Sequence, residues 1–482
     1  MHWKTITRLF GTLLLLYSLS FLPSVGISLL YDDGQWPVFL ISFAITSAAG
    51  LLLRWPGRSR DLAELSIRDG FMVVALFWLV LGMTGSLPFL LGLHMNFTDA
   101  IFESVSGFTT TGATVIPSVE LLPHSILYHR QQIQWIGGMG VIVLAVAVLP
   151  LLGIGGMQLY KAESSNIAQY EKLTPRIAQT ARALWFVYFL LTLLCALGYW
   201  AAGMTLFDAV GHAFSTVATG GFSTHDASLG FYDSVLIEGV AIVFMLAGGV
   251  NFAIHFMALR KQTSHPYTSV PEVRAFFHIF IAGVVLVTVG LFLAEAYSDL
   301  ETLLRHGVFQ VASILTSTGF TTAVFSHWPG YVPLVLVTLS FVGGCVGSTA
   351  GGIKVVRVLL LKRIAVRELF HLAHPRAVST ISLGKDDVPE KVLNTVKGFF
   401  ILYLLTVLVL STAMMGAGLD FESAFGAVLS TVNLLGPGMG EVAVSFASVN
   451  TAVKWLAVFG MLVGRLEIFT LLILFLPSFW RH

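Results

Sequence analysis

Ten apolar runs, near residues 9–30, 36–53, 71–93, 130–155, 183–203, 233–259, 276–297, 331–363, 396–418 and 452–478, leave this chain few folds to choose from. Each is long enough to cross a hydrocarbon core of roughly 30 Å as a helix. A segment in lipid must satisfy every backbone N–H and C=O internally, which helices and closed barrels do. Composition agrees: of 482 residues 56% are apolar and 11% charged, with a mean hydropathy of +0.84. These values exclude a water-soluble globule and predict an all-α polytopic membrane protein. The first run follows Lys4 and Arg8 in the manner of a signal peptide, but it is too long for that and a second run follows at once, so it reads as a helix. Cys195 and Cys345 imply no disulfide framework and are too few for the usual metal-site patterns.

Between the runs one short pattern occurs four times. Residues 106–114 read Ser-Gly-Phe-Thr-Thr-Thr-Gly-Ala-Thr, 215–223 Ser-Thr-Val-Ala-Thr-Gly-Gly-Phe-Ser, 313–321 Ser-Ile-Leu-Thr-Ser-Thr-Gly-Phe-Thr and 430–438 Ser-Thr-Val-Asn-Leu-Leu-Gly-Pro-Gly. Each begins with Ser and has Gly six residues later, at Gly112, Gly221, Gly319 and Gly436, spaced 109, 98 and 117 residues apart. A repeat of about a hundred residues exceeds any solenoid unit. A modest apolar segment precedes each pattern, and 10 to 12 helical residues cover about half of the hydrocarbon core. Such a segment enters the membrane and turns back, and irregular backbone survives there only where protein buries it or it lines water.

The chemistry of these hairpins suits a cation filter. A dehydrated cation needs fixed oxygens, which the carbonyls of a narrow extended segment supply when nothing bulky separates the chains. Glycine meets that condition and reaches backbone angles closed to other residues. The candidate ion-binding residues are Thr110, Thr111 and Gly112; Ala218, Thr219, Gly220 and Gly221; Ser317, Thr318 and Gly319; and Asn433, Leu434, Leu435 and Gly436. The fourth hairpin departs from the Thr-rich pattern of the others. The predicted plan is two N-terminal helices in residues 1–60, then four pseudo-repeated units of helix, re-entrant pore loop and helix around one pore: residues 61–160, 161–265, 266–370 and 371–482.

Lys and Arg are retained on the cytoplasmic side. With both termini inside, 23 of the 27 basic residues fall there, and the opposite orientation would reverse the ratio. Acidic residues such as Asp99, Glu103, Asp208, Asp226, Asp299, Glu301, Asp420, Glu422 and Glu441 fall on the outer side, as a cation-concentrating mouth or as a solvated rim.

Three stretches depart from plain helix. Residues 331–363 carry Gly343-Gly-Cys-Val-Gly-Ser-Thr-Ala-Gly-Gly352 in the middle, too long and too broken for one straight helix. Two half-helices joined by a loop beneath the filter are expected; the alternative is a small-residue packing face. Arg465 lies midway through the last run, where a charge costs about 2.5–3.5 kcal/mol even on the lenient insertion scale. It either reaches into the pore cavity as an electrostatic barrier or pairs within the bundle, and Glu467, two residues on, projects from a different face. Finally, residues 161–183 and 363–397 are the sizeable polar loops, suited to anionic lipid or to docking a soluble subunit.

Residues 107–114, Glu171-Lys-Leu-Thr-Pro-Arg176, Pro271-Glu-Val-Arg-Ala275, residues 343–352 with Lys354, and Gly464-Arg-Leu-Glu-Ile-Phe469 together resemble the Trk/Ktr/HKT superfamily of cation transporters, in its TrkH-type bacterial potassium-uptake branch. The resemblance covers nearly the whole chain. It implies four linked potassium-channel-like units, a homodimer with one pore per protomer, a location in the bacterial inner membrane, and a cytosolic TrkA-type nucleotide-binding regulatory subunit. It also implies gating by a loop of the third unit, here Gly343, Gly344, Gly347, Ser348, Thr349, Ala350, Gly351, Gly352 and Lys354, with Arg465 beside it. Glycine at all four filter positions favours potassium.

The leading expectation is a channel-like potassium translocator binding K+ ions and no organic cofactor. The runner-up is a symporter coupled to H+ or Na+, which normally needs an intramembrane carboxylate or His relay; Glu467 is the one acidic residue well inside a run. An enzyme would need clustered nucleophiles or metal ligands, and His212, His225, His255 and His278 lack ligand spacing. Nothing in the chain suggests nucleic-acid binding.

Overall fold

The computed structural model describes residues 2–55, 66–143, 177–377, 379–384 and 386–480. It is mostly helical, and six of its helices are by themselves long and apolar enough to cross a membrane: Trp3–Tyr31, Trp36–Arg54, Arg68–Gly92, Ala181–Ala201, Pro271–Leu293 and Glu390–Gly416. The chain is a multi-pass membrane protein. The leading pair of spans crosses in backbone contact. A Cβ added to Gly11 would lie 2.6 Å from the Gly50 carbonyl oxygen, and one on Gly50 2.9 Å from that of Gly11. Small residues allow such an approach where helices cannot draw on a hydrophobic drive to associate.

After this pair the chain repeats one sequence of events four times. A spanning helix leads to a short helix, Phe97–Phe108, Leu206–Val217, Leu300–Leu315 or Phe421–Val432. A hairpin follows, then a second long helix, beginning at His124, Val235, Val332 or Thr451. The fourth predicted span starts at His124 rather than 130, and its continuation past Val143 lies outside the described residues, as do the unit boundaries near 60 and 160 and the motif at 171–176.

The eighth span is two helices, Val332–Val342 and Val355–Ala373, joined by an irregular segment, as the glycine-rich middle predicts. Two other spans predicted to be continuous are not. The sixth bends by 100° between Val235–Gly249 and Phe252–Lys261. Asn251 caps the new helix, its Oδ1 accepting the Ala253 N–H at 2.8 Å, while the Phe252 N–H donates to the Gly347 carbonyl at 3.1 Å. The tenth turns by 111° just past Arg465, with Glu467 and Ile468 at φ 52° and 27°. That turn carries the Glu467 carboxylate to the Arg357 guanidinium, 2.5 Å away. In both places a tertiary contact replaces backbone hydrogen bonds that the helix gives up. Within the polar loop before the ninth span, a two-residue antiparallel ribbon pairs Ser382–Leu383 with Asp386–Asp387.

Candidate functional site

Each of the four short helices is capped at its N-terminus. Asn96 Oδ1 accepts the Asp99 N–H at 2.9 Å, Thr205 Oγ1 that of Asp208 at 3.1 Å, Asp299 Oδ2 that of Thr302 at 2.6 Å and Asp420 Oδ1 that of Ser423 at 3.3 Å. A cap of this kind contributes about 0.5–2 kcal/mol. The Thr302 and Ser423 groups stabilise the charged form and hold the Asp299 and Asp420 carboxyls below their ordinary range. Each helix runs from its capped N-terminus to its hairpin and so presents its partially negative C-terminal end to that hairpin.

Beyond those ends the four hairpins share one backbone. The N–H groups of Thr111, Gly220, Thr318 and Leu435 donate to the carbonyls of Ser106, Ser215, Ser313 and Ser430, at 2.9, 2.8, 2.8 and 2.8 Å. The residues just before them, Thr110, Thr219, Ser317 and Leu434, have φ of 54°, 51°, 51° and 57°. The residues just after, Gly112, Gly221, Gly319 and Gly436, have φ of 82°, 76°, 82° and 89°. The left-handed region costs a non-glycine residue of order 1–3 kcal/mol and persists only where the surroundings impose it. Here it is imposed at the same position four times, on Leu434 as on the Thr-rich hairpins. The fourth hairpin thus departs in side chains and keeps the backbone. Ser106 and Ser313 donate to the carbonyls seven residues on, Ala113 and Phe320, and Ser430 to one six residues on, Gly436.

These segments close on one another. A Cβ on Gly112 would collide with the Gly220 carbonyl, one on Gly221 with Thr318, and one on Gly319 with Leu435; one on Gly436 would lie 2.8 Å from the Thr111 carbonyl oxygen. The hairpins therefore form a closed ring in chain order, each glycine against the preceding-residue carbonyl of the next hairpin. Of the fourteen candidate ion-binding residues, eight meet directly in this ring, Thr111, Gly112, Gly220, Gly221, Thr318, Gly319, Leu435 and Gly436; the other six lie in the turns just before them. Beside the ring lies a cavity of about 160 Å³ lined by Gly112, Gly221, Gly319 and Gly438 among others.

Several of the outer carboxylates named above have partners of their own. Asp99 pairs with Lys454 at 2.7 Å, Glu103 with Arg130 at 2.8 Å, and Asp299 and Asp420 cap helices. Asp226 lines the cavity but accepts from Ser118 Oγ and the Val119 N–H, both at 2.6 Å, tying the loops of the first two hairpins together. The fully buried Glu103–Arg130 pair escaped sequence reasoning. Glu103 also accepts from Thr114 Oγ1 and the Val115 N–H, both at 3.0 Å, while Arg130 donates to the Ser223 carbonyl at 3.3 Å and lies 4.0 Å over the Phe222 ring. The signal was present: His129, Arg130, Gln131, Gln132 and Gln134 are polar at the start of a run read as a plain span.

Residues 343–354 pack against the hairpins. Gly343, Gly347 and Gly352 take φ of 71°, 75° and 77°, so the loop needs glycine where it turns. Thr349 Oγ1 is 3.1 Å from both Thr219 Oγ1 and the Val217 carbonyl oxygen, and the Gly351 N–H donates to Ser317 Oγ at 2.5 Å. A Cβ on Gly351 would collide with the Asn433 carbonyl. Gly344 packs against the Gly249 carbonyl, and Ser348 Oγ donates to the Cys345 carbonyl at 2.5 Å. The loop is thus seated on three of the four hairpins, so the packing-face alternative gives way to the loop.

Three charged side chains hold it there. Lys354 Nζ donates to the Ala350 carbonyl, and Arg465 Nη1 donates to that of Thr349 at 2.9 Å. Glu272 Oε1 accepts the N–H groups of Val346 at 2.8 Å and Val356 at 3.2 Å, one in the loop and one in the helix after it. A cavity of about 40 Å³, room for a few waters, is lined by Gly351, Lys354, Leu434, Gly464 and Arg465. Among the described residues Arg465 makes no ion pair and its Nε and Nη2 have no hydrogen-bond partner, while its guanidinium lies 5.6 Å from the centre of the Trp78 ring. The guanidinium therefore faces the cavity and the loop, while Glu467 is taken by Arg357.

Removing one partner of a buried ion pair costs about 3–5 kcal/mol because the other charge is left uncompensated. Glu103→Ala should therefore lower the thermal midpoint markedly in fluorescence-detected size exclusion. A wild-type midpoint would show that the pair does not brace the first two hairpins.

Comparison with known proteins places this geometry. The model of the TrkH family, described as a cation transport protein, matches residues 35–481. The Trk system potassium uptake protein TrkH of Halomonas elongata is 48% identical over 484 residues, covering 100% of both chains, and the TrkG protein of Escherichia coli K12 is 41% identical over 100% of this chain and 99% of its own. The crystal structure of the potassium transporter TrkH from Vibrio parahaemolyticus superposes with a TM-score of 0.93 at 46% identity, again over 100% of both chains. These relatives are transport proteins, not enzymes, and the chain belongs to the TrkH family of cation transport proteins.

Proposed function

We propose that this chain takes up potassium through the hairpin ring as a channel-like pore. The ring itself carries the reading: four segments of one backbone geometry, closed around a single axis, with glycine where any side chain would strike the neighbouring carbonyl. Such a ring can replace the water of a dehydrated cation. The C-terminal ends of four helices, each equivalent to roughly half a negative charge, favour a cation over an anion at that point. Relatives named for potassium uptake supply the ion.

In this reading Thr110 to Gly112, Ala218 to Gly221, Ser317 to Gly319 and Asn433 to Gly436 form the ion sites. The loop 343–354 is the gate. It rests against the inner end of three hairpins, so it must shift for an ion to leave. The trigger is a cytosolic TrkA-type nucleotide-binding subunit docked on the basic loop face, an assignment in keeping with the word "system" in the relatives' names. Two chains form a homodimer in the bacterial inner membrane, each with its own pore and both termini inside, as the bias of basic residues implies. Coupled symport is less favoured because its natural carboxylates are committed, Glu467 to Arg357 and Glu272 to the N–H groups of Val346 in the loop and Val356 in the helix after it.

Ion-replacement flux into liposomes tests the ring. The flux should reverse at the potassium equilibrium potential, and Gly112→Ser, which drives a Cβ into the Gly220 carbonyl, should weaken discrimination against Na+ in protein that still folds. An unchanged ion preference would remove Gly112 from the selecting structure.

Arg465→Gln probes the gate. A guanidinium near a passing cation raises its energy by about 1–4 kcal/mol between the limits of water and a partly buried site, and each 1.4 kcal/mol is about tenfold in rate. The substitution also releases the loop carbonyl of Thr349. Basal potassium flux should rise about tenfold per folded molecule, normalised by size-exclusion recovery, with the potassium-to-sodium ratio unchanged. A fall in that normalised flux would end the barrier reading.

A further inference from the structure

Three of the four ring carbonyls belong to residues with a side chain of their own, Thr111, Thr318 and Leu435; the fourth belongs to Gly220. The space left by the missing side chain is filled from elsewhere. Gln134, on the helix His124–Val143 of the first unit, is fully buried, and a Cβ on Gly220 would lie 2.5 Å from its Cδ. Its Nε2 donates to the Gly220 carbonyl at 2.6 Å and its Oε1 accepts the Phe222 N–H at 3.1 Å. Turning the amide over would set oxygen against oxygen and nitrogen against N–H, so its orientation is determined by its partners. One side chain thus grips the peptide groups on both sides of Gly221.

The arrangement has no counterpart in the rest of the ring. Among the described residues, no side chain donates to the carbonyl of Thr111, Thr318 or Leu435. Gln134 lies three residues before Gly137, which packs on the Phe108 carbonyl; the glycines packing likewise on the Val217 and Val432 carbonyls are Gly248 and Gly464. Three residues before these stand Met245 and Met461, which have no hydrogen to donate.

Resting on the pore reading, we propose that Gln134 is a positioning residue for ion selection: it fixes the Gly220–Gly221 backbone and holds one of the four ring carbonyls on an amide donor. Consecutive glycines make this the most pliable part of the ring. Once the grip is lost, the Gly220 peptide is free to rotate, and the ring can contract around a smaller cation.

The test uses the full-length protein in liposomes, with K+ and Na+ uptake measured per folded molecule. Gln134→Met, close in volume but without the hydrogen bonds, should lower the potassium-to-sodium ratio at least fivefold while potassium flux persists. Gly220→Ala alone should also lower it, because its Cβ meets Gln134. Gly220 is not at positive φ, so alanine there is not strained by its backbone. Combined with Gln134→Ala, the Cβ of Gly220→Ala enters the vacated space but the hydrogen bonds stay absent, so the ratio should remain low and fall no further than in Gln134→Ala alone, a non-additive outcome expected of groups in contact. A wild-type ratio in folded Gln134→Met, additive losses in the double variant, or failure to recover any of these variants folded would each overturn the proposal, the last by assigning Gln134 to folding alone. Gly112→Ser measured in parallel separates the two readings. If it shifts the ratio and the Gln134 variants do not, this inference alone fails; if neither shifts it, the pore reading fails.

Discussion

Four hydrogen bonds from the ring N–H groups to the serine carbonyls five residues earlier, at 2.8–2.9 Å, are the contacts on which the rest of this structure depends. Each turns a helix end into an extended strand at a depth where lipid offers no substitute partner. Once the N–H is spoken for, the residue before it is driven into the left-handed region and the glycine after it follows, which sets the next carbonyl against the neighbouring hairpin. A repeat of about a hundred residues is what is needed to bring one such turn back beside the last, since each must be flanked by helices long enough to span.

Around that ring, the charges buried in the apolar bundle act in two distinct ways. Glu103 and Arg130 brace the hairpins as a complete ion pair with its remaining valences filled by Thr114, Val115 and Ser223. Lys354, Arg465 and Glu272 bind backbone groups of the loop rather than one another. Opposite charges that meet each other directly hold two segments together. Charges satisfied by the backbone of a glycine-rich loop stabilise one placement of that loop, and that stabilisation is lost when the loop shifts. The same chemistry of buried charge thus ties the first two hairpins together at Glu103 and seats the glycine-rich loop at Glu272, Lys354 and Arg465.

Much of this was legible in the residues, for reasons that are local. The Ser-to-Gly spacing marks each hairpin because the hydrogen bond and the positive φ lie within one short segment. The break in the eighth span announces itself through its glycines. The bends after Gly249 and Arg465 did not, because they are made by contacts with distant segments, Asn251 and Phe252 meeting the loop at Gly347 and Glu467 meeting Arg357. At the latter bend Glu467 and Ile468 adopt positive φ, which nothing in their side chains foretells. Gln134 was hidden for the same reason, since it supports a hairpin 86 residues further along the chain. The number and side of the outer acidic residues allow either a concentrating mouth or a solvated rim; partners visible only in three dimensions commit Asp99 and Glu103 to ion pairs and Asp299 and Asp420 to helix caps.

The central claim is that the closed ring is where potassium sheds its water. Rubidium, a potassium substitute with strong anomalous scattering, can be located directly in crystals of this protein grown in its chloride. The account predicts an anomalous peak on the ring axis, at the level of the Thr111, Gly220, Thr318 and Leu435 carbonyls. Peaks confined to the cavity beside the ring or the bundle surface, with none at that level, would contradict it.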